Sequence, residues 1–329
     1  MGPDVSSQRC RIVVTRLLPE PVTRRIAATC ESWVNYEDRP MCAQSIGAAA
    51  EKIGADVLLV TATDRIDKAV IGRLPDSVRS IATLSVGYEH IDIEAARQRG
   101  IAVLRTPDVL NDAVAEMAIL LMLGAARRAH EGMRLIYEGR WQGWSPTLLL
   151  GRDVTGGRIG IFGMGGIGRT VAQRARGGFD MEVHYHNRRR LPADLEQGAI
   201  YHETVQDFLA VSDFLVLCAP STPQTKGFLN AQNLSRLPAG AIVVNVGRGD
   251  LVDDDALVAA LKSGAVAAAG LDVFNNEPAI HPAYRELPNV FIQPHLGSST
   301  LGTRTRMGEL LLDSVEALRA GEAVANRLV

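Results

Sequence analysis

The segment "RIGIFGMGGIGRTVAQRA" (158–175) places Gly163, Gly165 and Gly168 between an apolar β-branched run and a helix-compatible one. Each glycine serves a different step in gripping a pyrophosphate. Gly163 permits a tight turn, Gly165 lets the phosphates approach the backbone, and Gly168 lets helix and strand pack closely. The helix that follows turns the positive end of its dipole toward the anion. Glycines at this spacing are common, but strand, turn, helix and a further strand in sequence make a dinucleotide fingerprint. Met164, Gly166 and Ile167 belong to the same cofactor-binding turn.

The next apolar run, "MEVHYH", ends at "NRRRLP" (187–192). A carboxylate at this strand end would bind both ribose hydroxyls of NAD and repel the 2′-phosphate of NADP. Asn187 occupies the place instead, and a neutral amide removes the repulsion. Guanidinium groups fork onto phosphate oxygens, so the stretch is read as selecting NADP. Arg188 is the first choice for the phosphate contact and Arg189 the second, with Arg190 read as solvated.

These arginines are a local feature, because the whole chain of 329 residues carries a formal charge of only −2. That balance gives no reason to expect nucleic acid or an anionic membrane as partner. Cys10, Cys30, Cys42 and Cys218 lack metal-ligand or disulfide-framework spacing, so no metal and a reducing cytoplasm are expected. "MGPDVSSQRC" lacks the apolar core of a signal peptide. The most apolar run, "AVAEMAILLMLGAA" (113–126), contains Glu116 and is too short to span a bilayer. It predicts a buried helix from about Asp112 to His130, capped by Asn111 or Asp112. Being apolar on all sides, that helix needs a cover that a second subunit would supply, so a homodimer is expected.

Around these sites the chain alternates short apolar runs with helix-like segments. "RIVVT" (11–15), "DVLLV" (56–60), "SIATLS" (80–85) and "IAVL" (101–104) read as strands, with helices at 67–74 and 92–100. After residue 158 the rhythm repeats through "RIGIFG", "MEVHYH", "FLVLCA", "AIVVNV", "AVAAAGLDV" and "NVFIQP". Continuous apolar runs are what a parallel sheet covered on both faces requires. The chain is read as two doubly wound α/β domains.

The fingerprint lies some 150 residues into the chain. With "SVGYEHID" (85–92), "TPDVLNDAVAEMA" (106–118), "NVGRGDLVDDDALVAAL" (245–261), "GLDVFNNEP" (270–278) and "PHLGSST" (294–300), the sequence resembles the D-isomer-specific 2-hydroxyacid dehydrogenases over nearly its full length. Within that family it is most similar to the glyoxylate/hydroxypyruvate reductases, through "SVGYEHID", the arginine-rich loop and "GRWQGWSP" (139–146). The resemblance implies two Rossmann-like domains, with a cofactor domain (108–295) inserted into a discontinuous substrate domain (1–107 and 296–329). The last helix, from about Gly302 to Ala320, would return to the first domain.

It also implies roles. His295 would protonate the developing alkoxide, Glu277 would accept its other N–H and orient the ring, and Arg248 would hold the substrate's carboxylate and carbonyl oxygens. Val86 and Gly87 would offer backbone N–H groups to the carboxylate. Asp272 resembles the family residue that binds the nicotinamide carboxamide, and Val114 would pack on the ring. Pro220, the loop to Thr225 and the backbone at Val246 would line the riboses, with His295 and Gly297 also beside the cofactor. Trp141 and Trp144 resemble aromatics that reach a neighbouring subunit's active site, and Trp144 counts among the substrate-binding residues. The reading is therefore an NADPH-dependent reductase of glyoxylate or hydroxypyruvate. A broader 2-oxo acid reductase is the alternative, and a non-catalytic dinucleotide-binding corepressor is a third. With the sequence ending at Val329, neither a corepressor's tail nor the regulatory domain of many phosphoglycerate dehydrogenases is expected.

Overall fold

The computed structural model describes residues 9–329. The N-terminal stretch read above for a leader lies almost wholly outside them. The chain divides into two compact units. Described residues up to Leu110 join Ser299–Val329 in one, and Asn111–Ser298 form the other. Both crossings lie a few residues later than the expected division.

The first unit contains β1 (Cys10–Val14), α1 (Glu20–Thr29), β2 (Cys30–Val34), α2 (Ala43–Ile53), β3 (Val57–Val60), α3 (Lys68–Arg73), β4 (Ser80–Thr83), α4 (Ile93–Gln98) and β5 (Ala102–Leu104). Its sheet is parallel, in the order β2-β1-β3-β4-β5. Every residue of β3 and β4 is buried, which explains their unbroken apolar sequences. Asp67 and Asp92 start α3 and α4 by accepting backbone N–H bonds of the first turn. β2 is a strand that the sequence pattern does not reveal. It is an edge strand with exposed Glu31 and Ser32, so a polar, solvated residue interrupts each of its two faces.

The second unit contains α5 (Asn111–Ala126), α6 (Ala129–Tyr137), β6 (Arg158–Phe162), α7 (Gly166–Phe179), β7 (Glu182–His186), α8 (Ala193–Glu196), β8 (Ile200–Tyr201), α9 (Val205–Ala210), β9 (Phe214–Leu217), α10 (Ala231–Leu234), β10 (Ala241–Asn245), α11 (Asp254–Ser263), β11 (Val266–Leu271), α12 (Ala283–Glu286) and β12 (Val290–Ile292). Its seven strands are parallel, in the order β12-β11-β10-β9-β6-β7-β8. The order reverses beside β6, the kind of switch point where doubly wound sheets bind ligands. The final helix, α13 (Leu301–Arg319), belongs to the first unit. Gly308 lets it approach α1, since a Cβ there would sit 2.5 Å from Val22. Arg25 on α1 pairs with Glu309, Asp313 and Glu316 along its face.

The helix expected over 112–130 is two helices. α5 stops at Ala126, and Arg128, with φ of 54°, turns the chain into α6. Within its own unit α5 packs on α7 and the β10–β12 strands, and Leu121 and Met122 are fully buried. Each such side chain stabilises by about 1.5–3 kcal/mol. Nine of its 16 residues are buried, while Met117, Ile119 and Leu123 keep partial exposure. Leu120, 47% exposed, is the large apolar residue left outside. No helix among the described residues is long and apolar enough to cross a membrane.

Candidate active site

At the carboxyl end of β6 the chain turns at Gly163, whose φ is +93°. A Cβ there would lie 2.6 Å from the Ala219 backbone on the loop after β9, so only glycine fits. Gly168 is held as closely, with space for a Cβ only 2.5 Å from the Gly163 carbonyl. Gly165 is different, because nothing lies within 4 Å of a Cβ built on it. It precedes the first turn of α7 and offers no side-chain cap to that helix. A positive helix end, uncapped, beside an open glycine face, fits the pyrophosphate of a dinucleotide. Asn111, read from the sequence only as a helix cap, lies against Gly166 from the start of α5.

Asn187, just after β7, is tied to this turn. Its Oδ1 accepts the Met164 N–H at 2.7 Å, and its carbonyl accepts the Tyr201 hydroxyl at 3.4 Å. Arg188 and Arg189 are exposed and make no ion pair or hydrogen bond among the described residues. Arg190 is not simply solvated, as the sequence had suggested. It forks onto Glu196, with Nε–Oε1 and Nη2–Oε2 distances of 2.8 and 3.0 Å.

On the other side of the switch point the sheet gathers three separate loops. Arg248 follows β10. The adjoining Gly249 touches the Phe274–Asn275 backbone so closely that a Cβ would fall 1.9 Å from it. This contact sets the Arg248 loop beside the loop bearing Glu277. Glu277 Oε1 accepts the Phe274 N–H at 2.8 Å, and Oε2 lies 2.8 Å from Nδ1 of His295. Burial tends to raise the Glu277 carboxyl, but the His295 contact, the Phe274 N–H and the nearby Arg248 charge outweigh it. The group is held below its ordinary range. His295 itself has φ of 56°, a conformation that costs a non-glycine residue about 1–2 kcal/mol. Its N–H bonds to the Asp272 carbonyl at 2.8 Å, which helps hold that turn.

A cation, a carboxylate and an imidazole thus converge at the carboxyl ends of β10 to β12. Comparison with known proteins places the chain in a family. Residues 119–297 match the model of the D-isomer specific 2-hydroxyacid dehydrogenase NAD binding domain. The chain belongs to the D-isomer specific 2-hydroxyacid dehydrogenase family. It is 40% identical to a glycerate dehydrogenase of Hyphomicrobium methylovorum, over 94% of this chain and 96% of that one. It is also 40% identical to a glyoxylate reductase of Thermococcus kodakarensis, over 95% and 94%. Among solved structures, an NADPH-dependent glyoxylate/hydroxypyruvate reductase of Sinorhizobium meliloti, in complex with NADP and malonate, superposes with a TM-score of 0.86. That pair is 32% identical over 98% of this chain and 97% of the other.

In this 2-hydroxyacid dehydrogenase, Asp272 is 1% exposed. Its two carboxylate oxygens accept the N–H groups of Leu296 and Gly297 at 2.7 and 2.8 Å. Burial raises its carboxyl, and these two bonds oppose the rise. It therefore fixes the turn that carries His295, a contact the sequence reading had not assigned. Val114 lies beside Asp272 around Gly297, while Val246 is buried at the end of β10, its N–H on the Leu217 carbonyl. Thr225 closes its own loop, its hydroxyl bonding the Pro220 carbonyl at 2.7 Å. In the other unit, the Val86–Gly87 turn is held by the Ser85 hydroxyl, 2.6 Å from the Gly87 carbonyl. Among the described residues no hydrogen bond takes the N–H of Val86 or Gly87. Trp141 and Trp144 are exposed, the latter at 83%.

Proposed function

We propose that this dehydrogenase reduces a small 2-oxo acid, glyoxylate or hydroxypyruvate, with NADPH as donor. The observation that carries the reading is the His295–Glu277 pair with Arg248 beside it. NADPH, when bound, supplies the hydride that reduces the substrate's carbonyl carbon. Gly163, Gly165 and Gly168, with Met164, Gly166 and Ile167 between them, seat its pyrophosphate on α7. Asn187 leaves room for a 2′-phosphate, which Arg188 and Arg189 bind. Val114, Asp272, Gly297, Val246 and the Pro220–Thr225 loop line the rest of the cofactor.

Arg248 holds the substrate's carboxylate and draws electron density from its carbonyl. Glu277 accepts the Nδ1–H of His295, which leaves Nε2–H as the proton donor to the oxygen that becomes the hydroxyl. Val86 and Gly87, in the other unit, keep backbone N–H groups open to a carboxylate oxygen. In the reverse direction His295 takes the hydroxyl proton.

The protein acts as a homodimer. Leu120, Met133, Ile136, Tyr137, Trp141, Trp144, Leu148 and Leu150 crowd one stretch of the chain with exposed large apolar side chains, and a second copy covers them. Trp144 then reaches the partner's substrate. The resemblance to glycerate dehydrogenase and glyoxylate reductases supports the substrate class, and the NADP complex of the Sinorhizobium relative supports the cofactor. The test is a panel of 2-oxo acids assayed with NADPH and with NADH. Higher kcat/KM with NADPH, greatest for glyoxylate or hydroxypyruvate, is the expected result. Equal efficiency with both cofactors, or preference for a bulky 2-oxo acid, would refute that part of the reading.

A further inference from the structure

The loop bearing Arg188 and Arg189 is built on a buried polar knot that no part of the reaction uses. Tyr185, fully buried on β7, donates its hydroxyl to Glu196 Oε1 at 2.5 Å and accepts the Leu191 N–H at 3.0 Å. Glu196, at the end of α8, is itself buried and receives both arms of Arg190. The Arg190 pair, and next the Tyr185 bond, bring the Glu196 carboxyl down to about 2. Burial, and then the same Glu196, push the Tyr185 phenol up to about 12. The knot therefore keeps one fixed protonation state across the working range, with an ionised carboxylate and a neutral phenol.

Its position gives the knot a purpose. The loop leaves β7 at Asn187, tied to the glycine turn through Met164, and re-enters order at Leu191, tied to Tyr185. Arg188 and Arg189 lie between two anchored points. Fixing them in advance removes part of the side-chain and loop ordering that phosphate binding otherwise costs. Glu196 also cancels one of three adjacent positive charges, which repel each other.

We propose that Glu196, with Tyr185 and Arg190, is the positioning element that sets cofactor choice, by holding Arg188 and Arg189 in register for a ribose 2′-phosphate. This rests on the NADPH reading above. Charge and position make opposite predictions for Glu196→Gln. By charge alone the variant gains net positive charge beside the phosphate and binds NADPH more tightly. By position it loses the strong acceptor that anchors Arg190 and Tyr185, and binds NADPH more weakly.

The experiment measures binding of NADPH, NADH and adenosine 2′-monophosphate to the full chain by calorimetry, with KM and kcat for both cofactors alongside. In Glu196→Gln, Kd for NADPH and for adenosine 2′-monophosphate rises about tenfold, as expected for losing bonds to a charged group. Kd for NADH changes less than about twofold, and KM for NADPH rises with little change in kcat. Tyr185→Phe keeps the loop's charge and removes only the hydroxyl, so it reports in the same direction, at roughly threefold, if the glutamine variant folds poorly. NADPH binding that is unchanged or tighter in both variants overturns the proposal, as does equal weakening for NADPH and NADH. Arg188→Ala separates the two levels. If it abolishes the NADPH preference while Glu196→Gln does not alter it, the positioning role fails and the cofactor reading stands. If Arg188→Ala and Arg189→Ala both leave the preference intact, the cofactor reading fails and this inference falls with it.

Discussion

Replacing Glu277 by Gln tests the proton-donor assignment most directly. The carboxylate lies 2.8 Å from Nδ1 of His295. Because the group is held below its ordinary range, it is ionised wherever the enzyme is assayed. Charge centres about 4 Å apart attract by about 1 kcal/mol in water and about 4 kcal/mol at an effective dielectric of 20. The imidazole and carboxylate side chains are 46% and 33% exposed, so solvent screening favours the low end, ~1–2 kcal/mol. Oxidation of the hydroxy acid builds positive charge on the imidazole as it takes the proton, and Glu277 stabilises that charge. At 1.36 kcal/mol per tenfold in rate, Glu277→Gln should lower kcat/KM for oxidation by roughly 5–30-fold. Reduction, in which that charge fades, should fall less, because glutamine retains the shape. The assay is kcat/KM in both directions at constant ionic strength. Oxidation that is unchanged in Glu277→Gln would show that Glu277 does not act on the proton donor.

His295→Ala should lower reduction at every pH by roughly 10²–10⁴-fold; near-normal turnover would place the proton elsewhere. Asn187→Asp combined with Arg188→Glu should shift the ratio of kcat/KM toward NADH by at least about tenfold, and an unchanged ratio would sink the phosphate-selector reading. Light scattering at micromolar concentration should give twice the chain's mass, and Leu120→Asp should shift it toward the monomer. Glu277 has a lowered carboxyl, so its stabilising contribution is complete above the ordinary carboxylate value and is lost as pH falls through the lowered one. Urea midpoints on the acid side should therefore fall less steeply with pH in Glu277→Gln than in the parent; parallel slopes would show that the pairing carries no linked stability.

The sequence by itself determined the double winding, since strands such as Val57–Val60 and Phe214–Leu217 are buried on both faces and must be apolar throughout. It also fixed the place of the cofactor turn, because Gly163 and Gly168 meet backbone that leaves no space for a Cβ. Edge and surface elements carried a weaker pattern. β2 escaped detection because exposed Glu31 and Ser32 interrupt its apolar run, and the break between α5 and α6 fell inside a helix-compatible run where only the backbone turn at Arg128 marks it. The site divided along the same line. Glu277 and His295 stand 18 residues apart, and without the family resemblance nothing in either neighbourhood marks them as partners. The fold joins them because parallel strands deliver all their carboxyl-terminal loops to one edge. The Tyr185–Glu196–Arg190 knot lies close in sequence yet was equally hidden. Whether a carboxylate beside three arginines is solvated or buried beneath one of them depends on how the short helix after β7 packs, and only the tertiary structure sets that packing.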